Sequence, residues 1–181
     1  MEKEFETQIL DIDVADIKKR LVNLGAREEP EVLERRWVFD MEKKGDECSR
    51  WIRLRQSGEK TTICLKDKTG SGVADTSELE VGVEDFEKTS KILEALPFFM
   101  EKYYQENYKQ NFYLNNLEFS IKRWPMIPPA LEIEGKSQED VVKGLEMLDL
   151  SGKDVGHLGW KRIYKKYGID LHELKILKFE E

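Results

Sequence analysis

The stretch Pro128-Pro129-Ala130-Leu131-Glu132-Ile133-Glu134-Gly135 alternates strictly in its core, with Leu131 and Ile133 on one side and Glu132 and Glu134 on the other. A strand sends successive side chains to opposite faces, so the two carboxylates stand two residues apart on one face. Like charges this close are costly unless a cation lies between them. A divalent ion held by oxygen ligands would remove the cost, and so would simple solvation on an edge strand. The same device recurs at the start of the chain, where Glu4-Phe5-Glu6 again places two carboxylates on one face, with Gln8 following in the row.

Other segments share the two-faced pattern. Strands are expected over Glu2–Asp11, Glu34–Asp40, Arg50–Arg55, Thr61–Asp67, Ser77–Val83, Glu101–Phe112 and Leu117–Lys122. Charged Glu42–Ser49, with Gly45, reads as a turn, as do Ser57-Gly58 and Asn115-Asn116, and Gly70–Asp75 reads as a loop. Helices are expected after Asp13 as N-cap, from Asp85 to Leu96 ahead of Pro97, after Ser137, and over His157–Tyr167. The charged strand faces carry Glu4, Glu6, Glu78, Glu80, Glu132 and Glu134, and also Arg36, Arg53, Arg55 and Lys66. Two layouts satisfy this. One is a sheet packed on helices with a solvated, salt-bridged outer face. The other is a barrel closed with its charges inside and its helices outside, where eight strands leave room for one small ligand.

Composition narrows the function. The chain has 181 residues, 39% of them hydrophobic and 37% charged, enough for one domain with a core. The net charge of −7 argues against nucleic-acid binding through the outer surface, so an anionic ligand needs a local basic pocket. No apolar run reaches membrane-spanning length, and the chain opens directly on strand-like alternation. Isolated Cys48 and Cys64 fit free thiols, and with the rest suggest a cytoplasmic protein. Only His157 and His172 are present, which disfavours a histidine zinc site or a Ser-His-Asp triad. His157 itself reads as structural, at the entry of the last helix.

The ordered set of motifs resembles the CYTH superfamily, the triphosphate tunnel metalloenzymes, which includes class IV adenylyl cyclases, thiamine triphosphatases and inorganic tripolyphosphatases. Glu4-Phe5-Glu6-Thr7-Gln8 is similar to the family's Glu-x-Glu-x-Lys signature. The likeness continues through Leu24-Gly25-Ala26, Trp51-Ile52-Arg53-Leu54-Arg55, Cys64-Leu65-Lys66, Glu78-Leu79-Glu80, Trp124-Pro125, Ile127-Pro128-Pro129, Leu131-Glu132-Ile133-Glu134-Gly135 and Ile163-Tyr164.

The resemblance implies an α+β fold, a closed eight-stranded antiparallel tunnel barrel with helices packed outside, formed by residues 1–181 as a single domain. It implies Mg²⁺ or Mn²⁺ on Glu4, Glu6, Glu132 and Glu134. It implies a triphosphate-bearing small molecule or polyphosphate on Arg53, Arg55, Lys66 and Lys109. Arg36, Glu78 and Glu80 are further inward candidates. The chain departs from the family pattern at Gln8, where a lysine is expected, at Asn111, where a basic residue is expected, and at Lys122, where an aspartate is expected. The implied activities are metal-dependent triphosphate hydrolysis, cyclisation of ATP to cAMP, or triphosphate binding with little turnover. The three departures bear on catalysis more than on binding.

Overall fold

The structure is a computed structural model that describes residues 5–44, 47–68, 76–97, 99, 101–171 and 173–180. Its elements run β1 (Phe5–Ile9), α1 (Val14–Asn23), β2 (Arg27–Glu28), β3 (Val32–Lys44), β4 (Glu47–Ser57), β5 (Lys60–Lys68), β6 (Thr76–Val83) and α2 (Phe86–Glu94). They continue with β7 (Glu101–Leu114), β8 (Leu117–Arg123), β9 (Ala130–Gly135), α3 (Gln138–Met147), α4 (Trp160–Lys166) and β10 (Ile176–Leu177). The hydrogen-bonded order is β1-β9-β8-β7-β3-β4-β5-β6, with short β2 and β10 both added to β7. Strands β1-β9-β8-β7 and β3-β4-β5-β6 pair antiparallel, as does β2 with β7, while β10 joins β7 in parallel. The class is therefore α+β, with ten strands among the described residues rather than eight. Among the described residues no hydrogen bonds join β1 to β6, so the expected closure is not made by strand pairing.

The chain divides into two compact units, one of Leu33–Glu106 with His172–Glu181, the other of Glu2–Val32 with Asn107–Leu171. In the first unit, β3, β4, β5 and β6 form a meander. Its apolar face supplies Phe39 and Leu54, which pack with Phe86 and Leu93 of α2. Asp85 caps α2 by accepting from the Lys88 N–H at 2.8 Å. The expected turn over Glu42–Ser49 is instead mostly strand, because β3 runs to Lys44 and β4 begins at Glu47. The Gly45 turn and the Gly70–Asp75 loop lie outside the described residues.

In the second unit, β1, β9, β8 and β7 present Ile9, Leu131, Ile133, Leu117, Phe119, Ile121 and Phe112 to α1 and α3. Asp13 caps α1, accepting from Ala15 and Asp16, and Gly25 ends that segment at φ +81. Ser137 caps α3 through Asp140 N–H at 3.2 Å. Gly144 is required where α3 crosses the sheet, since a Cβ there would lie 2.8 Å from Ile133 Cγ2. The last helix, expected from His157, begins only at Trp160. The preceding segment is committed elsewhere: Val155 N–H donates to Gln8 carbonyl at 2.8 Å and Gln8 N–H to Gly156 carbonyl at 3.2 Å. That segment thus satisfies part of the free edge of β1.

Candidate functional site

The polar face of the second unit is built from alternate residues of four strands. Register places Glu6 opposite Glu134 and Gln8 opposite Glu132, then Glu118 opposite Glu134 and Ser120 opposite Glu132. On the next strand Lys109 faces Lys122, and Asn111 faces Ser120. Glu132 is buried, at 9% exposure, and carries a salt bridge from Lys122. The Lys122 ammonium also lies 6.0 Å from the centre of the Trp160 ring, which itself packs on Trp124 with ring centres 4.6 Å apart. Lys109 is paired with Glu118 at 3.0 Å. Ser120 hydroxyl donates to Asn111 Oδ1 at 2.9 Å, and Asn111 donates to the Tyr113 hydroxyl at 3.0 Å.

Glu6 is a diagonal neighbour of Glu132 across β1 and β9 and is paired with His157. Burial, together with the neighbouring Glu132 charge, outweighs His157 and pushes the Glu6 carboxyl upward. Burial would also raise Glu132, but the Lys122 charge and the hydrogen bond from Glu6 hold it below the usual carboxylate range.

Two of the three departures have structural reasons here. Gln8 is buried at 2% exposure and its Oε1 accepts the Leu158 N–H at 2.9 Å. A lysine has no acceptor and would leave that N–H unpaired. Asn111 joins a neutral hydrogen-bond chain with Ser120 and Tyr113 where a cation is expected. The third, Lys122, brings an ammonium where the resemblance expects an acid.

The first unit carries the guanidinium groups. Arg53 and Arg55 of β4 share a face with Cys64 and Lys66 of β5 and with Glu78 and Glu80 of β6. Lys66 is paired with Glu78, which burial acts to raise but which the Lys66 charge and hydrogen bond, with the Arg53 charge and the Cys64 thiol, together hold below the usual carboxylate range. Glu80 lies 3.7 Å from Arg53 and 3.6 Å from Arg55. Those distances are longer than direct charge-assisted hydrogen bonds of about 2.7–2.9 Å. Arg53 Nε is buried and has no hydrogen-bond partner among the described residues. Arg36, on β3, is buried and paired with Glu34 at 3.0 Å.

The sequence-derived residues therefore separate by unit. Glu6, Glu132, Glu134, Lys109, Asn111, Gln8 and Lys122 fall in the second unit, and Arg36, Arg53, Arg55, Lys66, Glu78 and Glu80 in the first. Glu134 shares the Glu132 face but is exposed, and Glu4 lies outside the described residues. His157, Trp160, Glu118 and Ser120 are additional members. Alternation along Glu118-Phe119-Ser120-Ile121-Lys122 was a signal for Glu118 and Ser120. Nothing local marked His157, whose partner Glu6 is far away in sequence. The described residues contain no group of three or more His, Cys, Asp or Glu side chains placed to hold a metal ion. The Glu132 carboxylate is engaged by Lys122 and that of Glu6 by His157, so these donors do not fit a divalent cation as they stand.

No family model matches the chain, and no curated protein matches it. Solved structures do. The PH1012 protein from Pyrococcus horikoshii OT3 superposes with TM-score 0.67 at 22% identity, over 83% of this chain and 93% of that one. A candidate adenylate cyclase from Vibrio parahaemolyticus gives TM-score 0.68 at 12% identity, over 91% and 98%. The candidate adenylyl cyclase HpAC1 from Hippeastrum, whose dominant activity is that of a triphosphatase, gives 0.56 at 17% identity, over 91% and 96%. At these identities the likeness shows the fold. The chain shares its fold with these proteins. No helix among the described residues is long and apolar enough to cross a membrane.

Proposed function

We propose that the protein binds a triphosphate-bearing small molecule or polyphosphate through Arg53, Arg55 and Lys66. The observation that carries this reading is the buried Arg53 Nε without an acceptor, on a guanidinium only loosely approached by Glu80. A buried unpaired donor is costly, and a phosphate oxygen would satisfy it. The planar fork of arginine suits two such oxygens, and Arg55 stands two residues along the same face. Lys66 on the neighbouring strand extends the row, with Glu78 holding it in place.

Hydrolysis of the bound triphosphate is the second reading. The triphosphatase activity of the Hippeastrum neighbour favours it. It requires Mg²⁺ or Mn²⁺ on Glu6, Glu132 and Glu134 with Glu4, a set whose described members are already engaged in part. Cyclisation of ATP would need a nucleoside pocket as well.

Calorimetric titration with tripolyphosphate tests the binding reading. Arg53→Ala removes a charge-assisted contact worth about 1.5–3 kcal/mol, so affinity should fall by about one to two decades. Equal affinity in wild type and Arg53→Ala would overturn the assignment. Phosphate release from tripolyphosphate or ATP would mark a hydrolase, pyrophosphate release with cAMP a cyclase, and neither product a binding module.

A further inference from the structure

The acidic face of the second unit poses a question of charge balance. Register sets Glu6 opposite Glu134 and Gln8 opposite Glu132, so Glu6 and Glu132 are diagonal neighbours on one face, and two ionised carboxylates so placed are costly without a proton or a cation beside them. A metal bridging them would be one solution. The structure uses another. Lys122 reaches from β8 to Glu132 on β9, with both side chains largely buried at 17% and 11% exposure. Its register position opposite Ala130 leaves room for this diagonal reach, since Ala130 offers only a methyl group on that side. The Trp160 ring stands on another side of the ammonium, and Trp160 is held by Trp124. His157 covers Glu6, and the segment that carries His157 is bonded to the β1 backbone through Val155 and Gly156. The lysine is thus placed by its strand, by its carboxylate partner and by an aromatic neighbour.

We propose that the Lys122 ammonium is a built-in replacement for a divalent cation at Glu132. The second unit consequently takes up no metal through Glu6 and Glu132, and triphosphate binding by this protein is metal-independent. The statement about metal uptake stands on the Lys122 geometry alone. The statement about triphosphate rests on the binding function proposed above. To coordinate Glu132 directly, Mg²⁺ would need an oxygen at about 2.0–2.1 Å, displacing an ammonium that already touches that carboxylate. The displaced ammonium would then face a dication. Removing the ammonium should do the reverse, leaving two adjacent carboxylates in a buried place, which is a strong inducement to bind a cation.

Manganese titration of the protein without phosphate, followed by the electron paramagnetic resonance of free Mn²⁺, tests the first statement. Wild type should deplete no free Mn²⁺ beyond what Glu132→Gln depletes. Lys122→Met should bind one Mn²⁺ and melt higher in its presence, and Lys122→Met/Glu132→Gln should lose both effects. Should Lys122→Met not fold, Lys122→Gln, which keeps a polar end without the charge, serves the same comparison. Should neither fold, the wild-type and Glu132→Gln titrations still decide metal uptake.

A wild-type site that binds Mn²⁺ and loses it on Glu132→Gln would overturn the inference while leaving the binding function intact. For the second statement, wild type is titrated with tripolyphosphate in EDTA and again in Mg²⁺. Binding in EDTA, within about tenfold of that in Mg²⁺, is expected. Binding seen only with Mg²⁺ would overturn metal independence. No binding under either condition would instead overturn the proposed triphosphate function, and with it the second statement, while the Mn²⁺ result decides the first.

Discussion

At the scale of single residues, the polar faces work by pairing groups whose charges would otherwise be costly. Glu78 is the clearest titrating member. Burial, the largest single influence, acts to raise its pKa, yet the Lys66 charge and hydrogen bond, with the Arg53 charge and the Cys64 thiol, together lower it from the ordinary value of 4.5. A carboxyl whose folded pKa is depressed adds stability above its unfolded pKa and loses it as pH falls through the folded one. Lys66→Met should therefore raise the Glu78 midpoint, since burial would then be opposed only by Arg53 and Cys64, and shift acid unfolding to higher pH. Carboxyl-detected NMR titration of both proteins reads the midpoint directly. An unchanged Glu78 midpoint would show that Lys66 is not its controlling partner.

Cys64, on the same face, is pushed up to about 11 by burial and then by the Glu78 carboxylate. In a Cys48→Ser background its thiol should resist Ellman's reagent at about pH 8, because little thiolate exists there. Rapid labelling of the native protein would contradict that environment. The charged residues of these faces were legible because a period of two is visible in any strand that alternates Arg-x-Arg or Glu-x-Glu. Their partners were less so. Lys122 was noticed only as a departure, and its contact with Glu132 follows from strand register, which no local pattern records.

At the scale of elements, close packing of α3 on its sheet sets a sharp steric condition. A Cβ on Gly144 would meet Ile133 Cγ2 at 2.8 Å and Leu117 Cδ1 at 3.3 Å, both in the buried core. Neither is the free end of a mobile chain. Gly144→Ala should thus destabilise by about 1–3 kcal/mol, the usual range for overpacking, despite the better helix propensity of alanine. Urea unfolding measures this, and an unchanged or raised midpoint would mean that α3 can shift away without loss.

Most elements were readable from the sequence. The Asp13, Asp85 and Ser137 caps and the Gly25 stop lie where local chemistry places them. The exceptions are instructive. The β3 and β4 arms extend through charges that were read as a turn, since charge marks solvent rather than chain direction. Short β2 and β10 exist only by pairing with β7, so they carry no periodic signal of their own. The late start of α4 reflects the attachment of residues 155–156 to β1, a tertiary bond that overrides the local helical pattern.

At the scale of the whole molecule, the net charge of −7 opposes any polyanion. Binding must come from local cations at contact distance, because bulk salt screens the general repulsion beyond about 8 Å at physiological ionic strength. This gives the proposed function a quantitative signature. A ligand that binds only the folded state at about a hundred times its dissociation constant adds about 2.7 kcal/mol of stability. For a chain of this length, about 2–4 °C per kcal/mol translates that into a melting shift of about 5–11 °C. Tripolyphosphate at saturating concentration should produce such a shift in wild type. Glu80→Gln should enlarge it at a fixed subsaturating concentration, because Glu80 is the acid that both Arg53 and Arg55 now approach, at 3.7 and 3.6 Å. Removing its charge leaves two guanidinium groups with a stronger demand for phosphate oxygen. Scanning calorimetry of wild type, Glu80→Gln and Arg53→Ala should rank the shifts in the order Glu80→Gln, wild type, Arg53→Ala. Equal shifts in all three would place the anion elsewhere on the protein. No shift with tripolyphosphate or any nucleoside triphosphate would remove the case for a triphosphate ligand.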